Sequence, residues 1–231
     1  MSAHPLCKIC GVRRARRACP GLGTAGTTEM ICSTCCGEGR EATISCPLDC
    51  EFLRQARIHE VPREYKPIAA EETVHADIEV TEDFLIEHEG LAGFLGMSLA
   101  KAGLETRGAV DRDLAGALDA LIRTYRTLHS GLVYETRAED RVAAEVQSRL
   151  ERSIAEWQRA RSEKQGLSAA RPAEIIGVLV FLARMAARFE NGRPRGRRYM
   201  DYLRVRFLTA KLKRRASFCE PGGPSRGVTA V

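Results

Sequence analysis

The feature of this sequence that most restricts its fold is the distribution of its cysteines. Eight of the nine cysteines lie before residue 51, and five of them fall in the stretch ICSTCCGEGREATISCPLDC at residues 31–50. When cysteines cluster in this way, their reactivity and metal binding decide their role more than their packing does. The pattern divides the 231-residue chain into a small Cys-dense module and a Cys-poor remainder.

The redox environment decides what clustered thiols do. The N-terminal sequence MSAHPLCKICGVRRARRACP lacks the apolar run of a secretory signal, so we expect a cytoplasmic location. In that compartment thiols stay reduced, and a Cys pattern indicates metal binding or catalysis rather than a disulfide framework. We favour zinc, and an iron–sulfur cluster and a redox or disulfide role are the alternatives.

The spacing of the cysteines predicts two zinc sites. CKIC at residues 7–10 and CSTC at residues 32–35 are C-x2-C knuckles, which place two thiolates on one tetrahedral metal ion. Neighbouring residues of an extended chain point to opposite sides, so Cys35 and Cys36 can face different metals. The simplest assignment gives one zinc to Cys7, Cys10, Cys32 and Cys35, and the other zinc to Cys19, Cys36, Cys46 and Cys50.

This interleaved ligand order resembles the cross-braced double-zinc fingers of the MYND, B-box and HIT types, over residues 4–60. The sequence departs from those families because it lacks a clear histidine ligand among the later positions. His4 and His59 are therefore candidate substitute ligands. The string CCG, then Arg40, then CPLDC running into a helix is also similar to Cys-rich modules of uncharacterised bacterial proteins, a likeness that implies no activity.

A glycine motif at residues 21–26 reads G-x-G-x-x-G, the pattern of dinucleotide-binding loops. That function requires a buried strand before the motif and a helix after it. Here the motif follows Cys19 and Pro20, with no apolar strand before it. We interpret it as a loop between metal ligands.

The remainder of the chain has helical periodicity. The overall prediction is a mostly α protein: a Cys-rich double-zinc module at residues 1–60, a linker at 61–80, an all-α bundle at 81–216 and a disordered tail at 217–231. About five bundle helices are expected, beginning near Thr81, Asp111, Glu139, Pro172 and Arg198, the last extending to about Arg215. The apolar run at residues 175–182 predicts the central helix and is too short to span a membrane.

Charge is distributed unevenly along the chain. The net charge is +6 overall, but residues 66–135 carry 6 basic and 13 acidic residues, whereas residues 136–231 carry 21 basic and 10 acidic ones. Several cations on one surface are what contact with a phosphate backbone requires. The candidate residues are Arg193, Arg195, Arg197, Arg198, Arg204, Lys211, Lys213, Arg214 and Arg215. An internal or partner acidic surface, or a simply solvated face, is the alternative interpretation of these residues.

These features favour binding over catalysis. A di-iron bundle needs Glu-x-x-His motifs on two helices, but the one match, Glu72 to His75, lies in the expected linker. The predicted function is that of a non-enzymatic zinc-binding protein of bacterial type, whose basic helical domain binds nucleic acid or another acidic partner. The alternative is a protein–protein adaptor, in which the zinc module docks a partner and the bundle serves as a scaffold.

Overall fold

The computed structural model describes residues 5–24, 26–59, 73–165 and 170–209. These residues are mainly α-helical, which confirms the predicted class. The strands are β1 (Arg17–Cys19) and β2 (Glu29–Ile31), and the helices are α1 (Ser33–Gly39), α2 (Glu51–His59), α3 (Glu82–Glu87), α4 (Glu89–Glu105), α5 (Asp111–His129), α6 (Arg141–Gln165), α7 (Pro172–Phe189) and α8 (Arg198–Leu203), with a π-helical turn at Arg204–Thr209.

The N-terminal module has a very small apolar core. Strands β1 and β2 pair antiparallel, with Ala18 opposite Met30. The large aliphatic side chains buried here are Ile31, Ile44 and Leu53, and cysteines supply most of the remaining core. A core with so few aliphatic side chains contributes little stability, and small domains of this kind commonly gain the remainder from a metal, disulfides or association with a partner.

The bundle is organised around α7, as the apolar run predicted. Residues on every side of this helix are buried, among them Ile175, Leu179 and Leu182. Helices α4, α5 and α8 pack against α7, and α6 buries one face, which carries Val146 and Leu150, against α4 and α5. None of the described helices is long and apolar enough to span a membrane.

The first predicted bundle helix is in fact two helices. Thr81 caps α3 as predicted, since its Oγ1 accepts a hydrogen bond of 3.1 Å from the backbone N–H of Phe84. The helix breaks at His88, whose φ of −106° and ψ of 24° separate α3 from α4. On the N-terminal side of the break, the ring of Phe84 lies against Gly177 of α7, so closely that a Cβ at Gly177 would be 2.4 Å from it.

Two further expectations concern the ends of the bundle. The last helix begins at Arg198 as predicted, but it becomes π-helical at Arg204, and residues from 210 onward, including the expected tail at 217–231, lie outside the described residues.

Asp111 of α5 caps α8, because its carboxylate accepts hydrogen bonds from the backbone N–H groups of Tyr199 (2.9 Å) and Met200 (3.0 Å). This contact fixes α8 on the start of α5.

Candidate metal centre

Four cysteines converge at one end of the N-terminal module. The Sγ atoms of Cys7, Cys10, Cys32 and Cys35 all lie within 4.8 Å of one another. The first pair lies in a turn closed by a 2.8 Å hydrogen bond from the N–H of Gly11, at φ +65°, to the carbonyl of Cys7. Among the described residues this is the one group of potential ligands that is so compact, and it matches the first predicted site.

The second pair of this group lies at the start of α1. Cys32 is the N-cap of the helix, and its Sγ accepts a 3.4 Å hydrogen bond from the backbone N–H of Cys35. The two residues therefore lie one helical turn apart, with both sulfurs on the same side of the helix start. A C-x2-C knuckle at a helix N-terminus presents two sulfurs to a common ion.

The electrostatics of the group are those of thiols in close proximity. Burial raises the pKa of the Cys7 thiol, but backbone N–H groups, led by that of Cys10, outweigh burial and lower this pKa to about 6. Hydrogen bonding to Cys32 is the main reason that the pKa of Cys35 rises to about 12. Four sulfurs this close cannot all carry negative charge without a cation, and a divalent metal is a cation that this group could hold.

The cysteines assigned to the second site surround a different point. Cys19 ends β1, Cys36 lies on α1, and Cys46 and Cys50 flank the turn before α2; all four line one small cavity of about 10 Å³. Burial raises the pKa of Cys19, and it raises that of Cys46 to about 11. The four sulfurs do not form a group as compact as the first.

The doublet Cys35-Cys36 lies on a helix, not on an extended chain as the sequence argument assumed. Successive residues of a helix are about 100° apart around its axis, because a turn contains 3.6 residues. Cys35 accordingly belongs to the compact group, whereas Cys36 lines the small cavity. Both side chains are buried.

Neither candidate histidine is observed in the cysteine group, and the glycine motif is a connection between strands. His4 lies outside the described residues, and His59 is the last residue of α2 and does not join the cysteine group. The G-x-G-x-x-G segment connects β1 to β2, so it neither follows a buried strand of a larger sheet nor opens a helix.

Several of the predicted partner-binding arginines contact the N-terminal module. Arg193 donates a hydrogen bond to the carbonyl of Arg40, and the guanidinium of Arg195 donates to the hydroxyl of Ser45 at 2.7 Å. Arg197 contacts the module through its backbone N–H, which donates to Glu41, whereas its guanidinium donates through Nε to the carbonyl of Ala109 in the bundle at 3.1 Å.

The remaining candidates lie at or beyond α8. Arg204 pairs with Asp201 at 2.7 Å, and Arg198 lies over the ring of Phe189. Lys211, Lys213, Arg214 and Arg215 lie outside the described residues, so their role stays a prediction.

Sequence reasoning missed Glu41, whose carboxylate joins the N-terminal module to the bundle. Glu41 is only 1% exposed and has a left-handed backbone, with φ of +50°. Its carboxylate accepts hydrogen bonds from Arg57 Nη2 (2.8 Å), Arg197 N–H (3.0 Å) and Asn191 Nδ2 (3.1 Å). We call Glu41, Arg57, Asn191 and Arg197 the junction, because these residues join the module to the bundle. Leu48 adds an apolar contact by packing with the buried residues of the bundle.

Comparison of the chain with protein-family models, with curated proteins and with solved structures returned no match.

Proposed function

We propose that this chain is a non-enzymatic zinc-binding protein in which zinc holds the N-terminal module together. The observation that carries this proposal is the convergence of four cysteine sulfurs within 4.8 Å. Four cysteine ligands complete a tetrahedral zinc shell and leave no open position for a substrate, which is the arrangement of structural sites. The small apolar core of the module gives such an ion a clear role, since metal binding then supplies folding free energy.

We further propose that Cys19, Cys36, Cys46 and Cys50 bind a second zinc ion. Their common position around one small cavity supports this assignment. The doublet on α1 supports it too, because one of its cysteines belongs to each set.

Metal analysis of the purified full-length protein tests both sites separately. We expect about two zinc ions per chain. Cys10→Ser and Cys50→Ser should each remove one of them, and Cys219→Ser, which lies outside both sets, should remove none. Iron in place of zinc would contradict the first proposal. An unchanged metal content in Cys50→Ser would contradict the second proposal alone.

The partner that we propose is a nucleic acid, bound through cations that the module and the C-terminal region present together. Arg13, Arg14 and Arg16 are exposed on the module, and the guanidinium of Arg13 lies beside the compact cysteine group, where it interacts with Cys32. The sequence carries four further basic residues at 211–215, whereas the guanidinium groups of Arg193 and Arg195 are engaged at the contact with the module. Clustered cations attract the phosphate backbone irrespective of sequence.

Salt titration of binding to a non-specific DNA or RNA duplex tests this partner. The slope of log affinity against log salt should be several units, and it should become shallower by about 0.9 for each phosphate that the protein no longer neutralises. The triple variant Arg13→Gln, Arg14→Gln, Arg16→Gln should lower the slope, whereas Arg107→Gln, an exposed control, should not. Absence of binding at low salt would overturn the nucleic-acid proposal.

One observation favours the adaptor as a second candidate function. Leu6, Ile9 and Val12 are 61%, 49% and 80% exposed, and all three surround the first C-x2-C knuckle. Apolar side chains grouped on a small rigid module are typical of protein-binding surfaces. This candidate applies if nucleic acid does not bind. Ile9→Ser and Val12→Ser should then abolish binding of the protein partner and leave the zinc content unchanged.

A further inference from the structure

A cavity of about 360 Å³ opens between α5, the C-terminal end of α7, the 191–196 segment and Val74 and His75. This volume is within the range of about 300–1,000 Å³ that is usual for small-molecule sites. The residues that leave this space open are small ones on two facing helices: Ala115, Gly116, Ala183, Ala186 and Ala187. The cavity is separate from the cysteine sites, none of whose residues line it.

His75 enters the lining of this cavity with a strained backbone. Its φ is +52°, in the left-handed region that a residue with a side chain rarely adopts. Arg184 of α7 maintains this conformation, because its guanidinium donates hydrogen bonds to the carbonyls of Val74 (3.1 Å), His75 (3.0 Å) and Ile78 (2.7 Å). Strain that the surrounding structure maintains in this way is concentrated at functional sites.

The imidazole of His75 has one ring nitrogen without a hydrogen-bond partner. Nη2 of Arg126 lies 3.5 Å from Nδ1 and can only donate, so Nδ1 is the acceptor and the proton resides on Nε2. Burial lowers the pKa of His75, which favours this neutral form. Nε2 is buried and forms no hydrogen bond with a described residue, although Asp119 Oδ1 is 3.4 Å away. The Nε2–H group therefore lies nearest Asp119 and is shielded from the cavity, so His75 shapes the wall of the cavity through its backbone and ring.

Two opposite charges on the lining of the cavity are available to a ligand. Arg112 and Glu190 are exposed at the cavity, and neither side chain pairs with a described residue. The other charged groups are engaged: the carboxylate of Asp111 caps α8, and Asp119 pairs with Arg123 at 2.7 Å.

We propose that this cavity binds a small zwitterion with the chemistry of a free amino acid. Its carboxylate would pair with Arg112, and its ammonium group would pair with Glu190. An apolar side chain would lie on the alanine surface between α5 and α7. A simple anion would leave Glu190 facing a like charge, and a simple cation would do the same to Arg112, so the lining selects a ligand that carries both charges.

Saturation-transfer NMR and calorimetry on the full-length zinc-loaded protein test this proposal. The probes are L-alanine and L-leucine, with acetate and ethylamine as single-charge controls. We expect the amino acids to bind with a dissociation constant of about 1 mM or lower. Acetate and ethylamine should bind at least about tenfold more weakly, because each engages only one of the two charges.

Variants locate the site. Arg112→Gln and Glu190→Gln should each weaken amino-acid binding by about tenfold or more, whereas the exposed control Arg107→Gln should have no effect. Ala187→Phe, which fills the cavity from its exposed side, should abolish binding. The proposal is overturned if neither amino acid binds at about 20 mM, if acetate binds as well as alanine, or if Arg107→Gln weakens binding as much as Arg112→Gln.

Discussion

Replacement of Glu41 by alanine should destabilise the whole chain, although this residue lies in a turn of the N-terminal module. The carboxylate is almost fully buried and accepts three hydrogen bonds, one of them in the 2.8 Å ion pair with Arg57. Two of its partners, Asn191 and Arg197, belong to the segment that leads from α7 into α8. The substitution therefore removes the acceptor that joins the module to the bundle.

The expected loss of stability follows from these interactions. Removing one partner of a buried ion pair costs about 3–5 kcal/mol. Arg57 keeps a second partner, Asp201, at 2.6 Å, which places the effect at the lower end, about 3 kcal/mol. Since 1 kcal/mol corresponds to about 2–4 °C in a chain of this size, the melting temperature should fall by about 6–12 °C.

Urea unfolding of the zinc-loaded protein, followed by the helical circular dichroism signal, measures this loss. Glu38→Ala, an exposed position on α1, is the matched control and should change the free energy of unfolding by less than about 0.5 kcal/mol. In a double-mutant cycle with Arg57→Met, the two effects should couple by about 1–3 kcal/mol. If Glu41→Ala costs no more than Glu38→Ala, or if the two effects simply add, the junction does not carry the stability assigned to it.

Three further predictions concern other parts of the chain. Gly21→Ala should lower the melting temperature by an amount corresponding to about 1–3 kcal/mol, because its Cβ would lie 2.6 Å from the Ser45 carbonyl oxygen, whereas Gly37→Ala, which meets nothing within 4 Å, should stabilise α1 by up to about 1 kcal/mol. Burial raises the pKa of Asp111 from 3.8 to about 6, so the folded state binds more protons between these values and loses stability as pH rises through them; urea unfolding of Asp111→Asn should show a flatter dependence in this window. Chelation of the metal should abolish hydrogen-exchange protection in residues 5–59 while α4 to α7 stay protected.

Local patterns accounted for most of the bundle. Helices α5 and α7 begin where the sequence predicted. The signals used there, the spacing of apolar residues and a proline at the first helical position of α7, lie within the helix itself and do not depend on distant contacts. The break at His88 could not be predicted in this way. The short helix before it packs through Phe84 against Gly177, a contact with a residue more than ninety positions later that local spacing does not encode.

In the candidate site, too, the features set by local spacing were predictable and those set by long-range contacts were not. The compact cysteine group was predictable because a C-x2-C spacing fixes two sulfurs by local geometry alone. Glu41 gave no such signal, since one of its partners is 156 residues away. Nor can a count of basic residues show which of them are engaged: Arg193 and Arg195 contribute to the positive charge of the C-terminal region, yet both hydrogen-bond to the module.

The position of the junction in the sequence gives the zinc a role beyond its own module. Glu41 and Leu48 lie between proposed ligands, the first after Cys36 and the second between Cys46 and Cys50. Zinc bound at the proposed sites would therefore set the shape of the loop that delivers a buried carboxylate and a buried leucine to the bundle. The same loop, through Glu41, contacts Asn191 and Arg197 in the segment that leads into α8. A nucleic acid that binds cations of both the module and the C-terminal region, as proposed, should therefore bind more weakly when zinc is removed. This loss of affinity is expected even if the nucleic acid contacts none of the cysteines that bind zinc.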